Sequence, residues 1–273
     1  MSDTPGRAVA PVTALLPLPT GGPVPAQDRL PDPLVPIYRS MTDAERSALW
    51  RQRLHEAEAG LTRLLAARGG DEVELTDWFN LQAEIFADLP DQLTAPSSEW
   101  QRVFFRGQAL IERYLVSRYG EEILADWARA NAEVHRVVEP DHGRGAADPI
   151  HRIARQAELY SSDYEWDDEW DDESDDTRGA GRDQAGHAAL TITHCGIWDY
   201  RERARRSGVR LTLESPCTYC TEAMSANIRA KGYRPAHRLS NGPTGHGCHW
   251  ESTATDGPAA ATPDAARDPR QEP

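Results

Sequence analysis

The chain has 273 residues, 27 % charged and 39 % hydrophobic, with a formal net charge of −14. That length holds one or two domains. No apolar run approaches the roughly eighteen residues of a membrane helix, and no nucleic-acid motif or basic patch interleaved with aromatics occurs. Ten acids and no base fall within residues 163–176, and without them the charge is only −4.

Residues 1–36 carry nine prolines and few large apolar residues, and residues 252–273 are mostly Ala, Pro, Asp, Thr and Arg. Neither end can bury enough apolar surface to offset its ordering entropy. The expected organisation is therefore a disordered Pro-rich tail at 1–36, a single α+β domain over 37–251, and a disordered tail at 252–273. An acidic loop over 161–187 should interrupt the domain. No charged start, apolar core and cleavage site follow one another at the N-terminus, so a cytoplasmic location with reduced cysteines is expected.

In chain order, Thr42 and Glu45 form a capping-box pattern. Trp50, Leu54, Ala57, Leu61, Leu64 and Leu65 recur at helical spacing until Gly69-Gly70. A second helix is predicted from about Thr76 to Leu89, and a third from Ser97 or Ser98 to Tyr119. A fourth spans about 121–138 with Val134 and Val137 facing inward, and a fifth begins near Pro149. The aromatic residues of these helices read as helix core in preference to a cofactor pocket. The tract from Asp163 reads as a solvated loop, with Trp166 and Trp170 marking either a docking segment or a linker insertion. Residues 188–195 alternate as a strand ending at Cys195. Ile197 to Ser207 reads as a short helix, Val209 to Glu214 as a strand, and Ser215-Pro216 as the start of a helix reaching Ala230. Residues 234–240 and 247–253 read as strands joined by Asn241-Gly242-Pro243-Thr244-Gly245. The fold class is α+β: a helical N-terminal part packed with a small antiparallel sheet bearing a Cys/His cluster.

That cluster holds all four cysteines of the chain, as His194-Cys195, Cys217-Thr218-Tyr219-Cys220 and His246-Gly247-Cys248-His249. Cys217 falls in the first helical turn, where the helix dipole favours a thiolate and lowers its pKa. Cys220 follows on the same helix face. If 246–249 is extended, His246 and Cys248 face one side and His249 the other. A base for Cys195 comes from His246 or His249 more readily than from His194. Three readings follow: one metal bound by Cys195, Cys217, Cys220 and Cys248, a cysteine nucleophile with a histidine base, or buried free thiols acting as small hydrophobes.

Several stretches together resemble the L-2-amino-thiazoline-4-carboxylic acid hydrolase family. They are Phe105-Arg106-Gly107 through Tyr119-Gly120-Glu121-Glu122, Thr191 to Trp198 around Cys195, Ser215 to Cys220, and Gly242 to Trp250 around Cys248. The resemblance covers about residues 98–252. It implies hydrolysis of a cyclic amidine, with Cys195, Cys217 and Cys248 carrying or framing the site. Cys220 stands where the family usually has Asp, and His249 where an acidic residue follows the last cysteine. Such softer donors favour zinc or iron.

The expected function is a hydrolase-like enzyme that cleaves a C–N or C–S bond of a small thiazoline-type amidine. Its catalytic residues would be Cys217 as nucleophile, His246 as base, and Cys195. The alternative is a zinc or iron–sulfur protein with ligands from Cys195, Cys217, Cys220, Cys248 and His249. The expected partner is a small-molecule substrate, with no nucleic acid and no membrane; a homo-oligomer stays open.

Overall fold

The described fold starts with a capping box at Thr42, whose Oγ1 accepts the Glu45 N–H while the Glu45 carboxylate accepts the Thr42 N–H. The computed structural model describes residues 41–69, 72–167, 186–242 and 245–255. The Pro-rich start, the acidic tract beyond Asp167, and the tail beyond Thr255 lie outside the described residues.

Helix α1 (Asp43–Arg68) ends at Gly69, which takes the left-handed conformation at φ +66°. It packs against α3 (Ser97–Tyr119) and α4 (Ile123–Val138). The crossing with α4 is close: a Cβ on Gly60 would lie 1.7 Å from Asn131 Oδ1. Trp50, Phe104, Leu54 and Ile111 lie in the main core, and Trp50 meets Tyr160 edge-on at 4.8 Å. Helix α2 (Glu72–Ile85) starts and stops about one turn before its predicted span, and Leu89 lies beyond it on the surface. Val137 is 80 % exposed instead of inward, because His135 takes the inward face of the last turn of α4 and a residue two further on lies on the opposite side of the helix.

Helix α5 (Ala147–Leu159) leads into the sheet, covering strands β2 (His187–His194) and β4 (Gly245–Ala254). Among the described residues the sheet has four antiparallel strands in the order β1-β2-β4-β3, with β1 at Asp163–Trp166 and β3 at Tyr233–Gly242. Two expectations are corrected here. The stretch predicted as an acidic loop begins with a paired strand, since Tyr164 and Trp166 alternate with Asp163 and Glu165 along β2. The last strand continues past residue 251 to Ala254, whose N–H donates to the Gly186 carbonyl.

Helices α6 (Gly196–Arg206) and α7 (Cys217–Ala230) connect β2 to β3. Val209 to Glu214 between them is not a strand. Leu213 is buried in the helical core, and its carbonyl accepts from Arg201 at 3.1 Å. Helix α7 crosses α4 where Ala128, Ala132 and Ala226 meet, small side chains that let the two backbones approach. The architecture is α+β, with the helical part packed on the sheet. Among the described residues no helix is long and apolar enough to cross a membrane.

Candidate active site

Helix α7 begins at Cys217, preceded by Pro216 as N-cap. The Ser215 hydroxyl accepts the Cys217 N–H at 3.1 Å, and Thr221 Oγ1 donates to the Cys217 carbonyl at 2.7 Å. The first turn is thereby held at both ends of one residue. Cys217 Sγ lies 3.3 Å from His246 Nε2.

His246 sits at the start of β4, directly across the hairpin from Asn241 of β3. Its Nδ1 lies 2.8 Å from Asn241 Oδ1. An amide oxygen only accepts, so Nδ1 carries the proton and the Nε2 lone pair faces the thiol. The imidazole stacks on Trp198 of α6 at 3.9 Å and 12°. The His246 carbonyl accepts the Cys195 N–H at 2.8 Å, which ties the start of α6 to β4. Three elements thus fix one ring: its tautomer from β3, its plane from α6, and its reach from β4.

Burial raises the Cys217 thiol above its usual 9.0, against the pull of the Ser215 hydrogen bond and the Arg201 guanidinium. Burial also lowers His246 below 6.5. The pair therefore rests as neutral thiol and neutral imidazole. This runs against the expectation that the helix start lowers the Cys217 pKa: burial raises it instead.

The other cysteines surround this pair. Cys195, Cys217, Cys220, Cys248 and His246 line one small cavity of about 20 Å³, together with apolar neighbours such as Leu239 and Trp250. All four thiols are free. Cys195 caps α6 through its sulfur, which accepts the Trp198 N–H at 3.5 Å. It meets His246 through the backbone, and the ring of His246 turns to Cys217 instead. Burial raises the Cys195 thiol and lifts Cys220 well above 9.0. Cys248 is pushed up to about 12 by burial, although Trp250 Nε1 donates to its sulfur at 3.2 Å.

His249 is separated from this cavity. Strand alternation turns it to the opposite face, where Nδ1 lies 3.0 Å from Thr191 Oγ1 and Nε2 lies 3.1 Å from Glu251 Oε1. The expected ligand set is split by the pleat. Among the described residues no three His, Cys, Asp or Glu side chains converge as metal ligands. His194 pairs with Asp199 at 2.8 Å and with Asp163 at 3.6 Å, away from the thiols.

Three contributors were not singled out from the sequence: Asn241, Trp198 and Ser215. Asn241 has a signal, because a hairpin through Gly242 places it opposite His246, but Asn-Gly by itself points only to turn chemistry.

A larger cavity of about 450 Å³ shares Ile197, Pro216 and Cys220 with the thiol cavity and opens among the helices. Its wall includes a buried ionic cluster. Arg53 Nη1 donates to Glu56 at 2.8 Å and Arg53 Nη2 to Glu139 at 2.8 Å, while Arg152 Nη1 also pairs with Glu139. His135 joins them, with Nδ1 3.0 Å from Glu56 Oε2 and Nε2 2.6 Å from Arg152 Nη2. A guanidinium only donates, so Nε2 accepts and the imidazole is neutral with its proton on Nδ1. Burial first, and Arg152 second, push His135 down to about 4.

Fold and site together define an α+β protein with a thiol, imidazole and amide in hydrogen-bonding sequence at a helix start. No protein-family model matches the chain, and neither a curated protein nor a solved structure is significantly similar to it.

Proposed function

We propose that the protein is a cysteine-dependent hydrolase that opens or cleaves a C–N or C–S bond in a small cyclic amidine of the thiazoline type. The observation that carries this reading is the 3.3 Å approach of Cys217 Sγ to His246 Nε2, with His246 Nδ1 held by Asn241. A nucleophile, a base and an orienting group in this order are the parts that covalent acyl or amidine transfer requires. The substrate class rests on the family resemblance around Cys195, Cys217 and Cys248.

In this reading Cys217 Sγ bonds to the amidine carbon while His246 Nε2 takes the thiol proton. The ring carbon–heteroatom bond breaks, and that proton passes to the leaving atom. Water then attacks the S-linked carbon, giving a proton to His246, and Cys217 leaves and recovers it. A cytoplasmic setting, which keeps the thiols reduced, fits this cycle.

The test is turnover of 2-aminothiazoline-4-carboxylate, read as release of a free thiol, with mass spectrometry for a Cys217 adduct. Cys217→Ala should abolish turnover and the adduct, and His246→Ala should slow it by about a hundredfold or more. Full activity in both variants overturns the proposal.

A zinc or iron centre is the second reading, favoured by four thiols lining one cavity and opposed by the separation of His249 and by the lack, among the described residues, of any three His, Cys, Asp or Glu side chains placed to hold a metal. Stoichiometric metal after anaerobic purification, with no titratable thiol, would replace the hydrolase reading.

A further inference from the structure

Cys217 and Cys220 form a Cys-x-x-Cys pair in the first turn of α7, and the hydrolase chemistry uses only the first of them. Three residues apart on a helix, their Cα atoms are about 5 Å from one another, inside the span a disulfide bridges. Hydrogen bonds hold that turn. The Cys220 N–H donates to the Pro216 carbonyl at 3.2 Å, and Thr221 Oγ1 donates to the Cys217 carbonyl at 2.7 Å. Both cysteines are free thiols and line the same 20 Å³ cavity. Burial raises Cys220 most, and the charges of Cys248, Cys195 and Cys217 add to it, so the four sulfurs lie within electrostatic reach of one another.

The four sulfurs differ in how they are held. Cys195 Sγ accepts the Trp198 N–H at 3.5 Å as the cap of α6, and Cys248 Sγ accepts from Trp250 Nε1 at 3.2 Å. Cys217 Sγ faces His246 Nε2 at 3.3 Å. Cys220 Sγ has no hydrogen-bond partner among the described residues. Cys220 also borders the 450 Å³ cavity, which gives its side chain room to turn. One sulfur therefore has a base, and its neighbour on the same helix face has no bond to break before it moves.

We propose that Cys217 and Cys220 are a peroxide-sensitive modification site that closes into a disulfide across the first turn of α7. Cys217 Sγ attacks one peroxide oxygen: the S–O bond forms and the O–O bond breaks. His246 Nε2 takes the thiol proton and passes it to the departing oxygen, which leaves as an alcohol or as water. Cys220 Sγ then attacks the sulfenic sulfur. The S–S bond forms, the S–O bond breaks, and the Cys220 proton leaves with the hydroxide as water. The two thiols are oxidised and one peroxide is reduced. An external dithiol reverses the bond and is itself oxidised to a disulfide. Cys217 is raised above 9.0, so its attack depends on the neighbouring imidazole. The bond itself requires only the thiols and His246; its consequence for turnover, loss of the nucleophile, rests on the hydrolase reading.

The test uses the full chain, reduced, then treated with one equivalent of cumene hydroperoxide, alkylated with N-ethylmaleimide and digested. Trypsin cuts after Arg210 and Arg229, so Cys217 and Cys220 share one peptide, 211–229, and Cys195 and Cys248 fall in two others. Mass spectrometry should show peptide 211–229 unlabelled and lighter by two hydrogens, with Cys195 and Cys248 labelled. Dithiothreitol before alkylation should restore both labels. Cys220→Ala should leave Cys217 as a sulfenic acid that dimedone traps, and Cys217→Ala should give neither disulfide nor dimedone adduct. His246→Ala should slow the oxidation by about tenfold or more. The map of the unsubstituted chain decides the matter if a variant does not fold. Turnover should fall as the bond forms and recover with dithiothreitol. A bond that forms in a chain with no turnover removes the hydrolase reading and leaves this one standing. A disulfide from Cys217 to Cys195 or Cys248, a bond between chains, or a Cys217 sulfinic acid formed with Cys220 still labelled would overturn the proposal.

Discussion

Asn241 sets the tautomer of His246, and its removal should be felt at Cys217 without any change in the thiol cavity. Asn241→Ala frees the ring to rotate or to carry its proton on Nε2, where it cannot accept from the thiol. The expected result is a fall in kcat of about ten- to a hundredfold with KM little changed, and slower alkylation of Cys217 by iodoacetamide. Asn241→Asp, which keeps an acceptor, should restore most of the rate. The resting protonation also fixes the pH profile. His246 must be neutral to act as base, and burial lowers it below 6.5, so the acid limb of kcat/KM should fall below that value. Cys217 is raised above 9.0, so no alkaline decline should appear up to that pH. A limb centred above 7 would contradict this assignment.

Strand β4 carries the site, and Gly247 is its tightest point. A Cβ there would lie 2.2 Å from the Ile192 carbonyl of β2. Gly247→Ala should force β2 and β4 apart, lowering Tm by about 5 °C and loosening the Cys217–His246 approach. Calorimetry together with alkylation rates checks both effects. Elements with their own end signals were legible in the sequence: Thr42 with Glu45 and Gly69 bracket α1, and an apolar stripe marks α3 up to Gly120. Alternation along 246–249 correctly separated His246 and Cys248 from His249. Elements whose ends depend on tertiary contacts were not legible. Helix α2 stops before Asp88, which adopts φ +52° with no glycine to announce the turn. Strand β1 hides inside an acidic run whose charge masks the period-two placement of Tyr164 and Trp166. The large cavity was beyond reach, because Arg53, Arg152 and Arg201 come from helices far apart in sequence.

Across the whole molecule, the buried cluster of Arg53, Glu56, His135, Glu139 and Arg152 links stability to pH. His135 titrates near 4 in the fold and near 6.5 when unfolded. Between those values the unfolded chain binds a proton that the folded chain refuses, so stability falls as pH drops through this window. The loss amounts to about 3 kcal/mol. Glu56 is held well below 4.5, with burial opposing and the His135 hydrogen bond and Arg53 charge prevailing, so a further loss follows below that pH. Urea unfolding from pH 7.5 to 4 should show the first decline, and His135→Gln should flatten it. The sheet that completes the fold ends, among the described residues, in two unlike margins. One is β1, only four residues long and carrying Asp163 and Glu165. The other is β3, where Pro235 offers no N–H for a ladder. Neither margin is a good template for another chain. Concentrated solutions should therefore resist templated fibre growth through local strand chemistry as well as overall repulsion. Replacing Pro235 with Val should shorten the lag before thioflavin-positive aggregates appear.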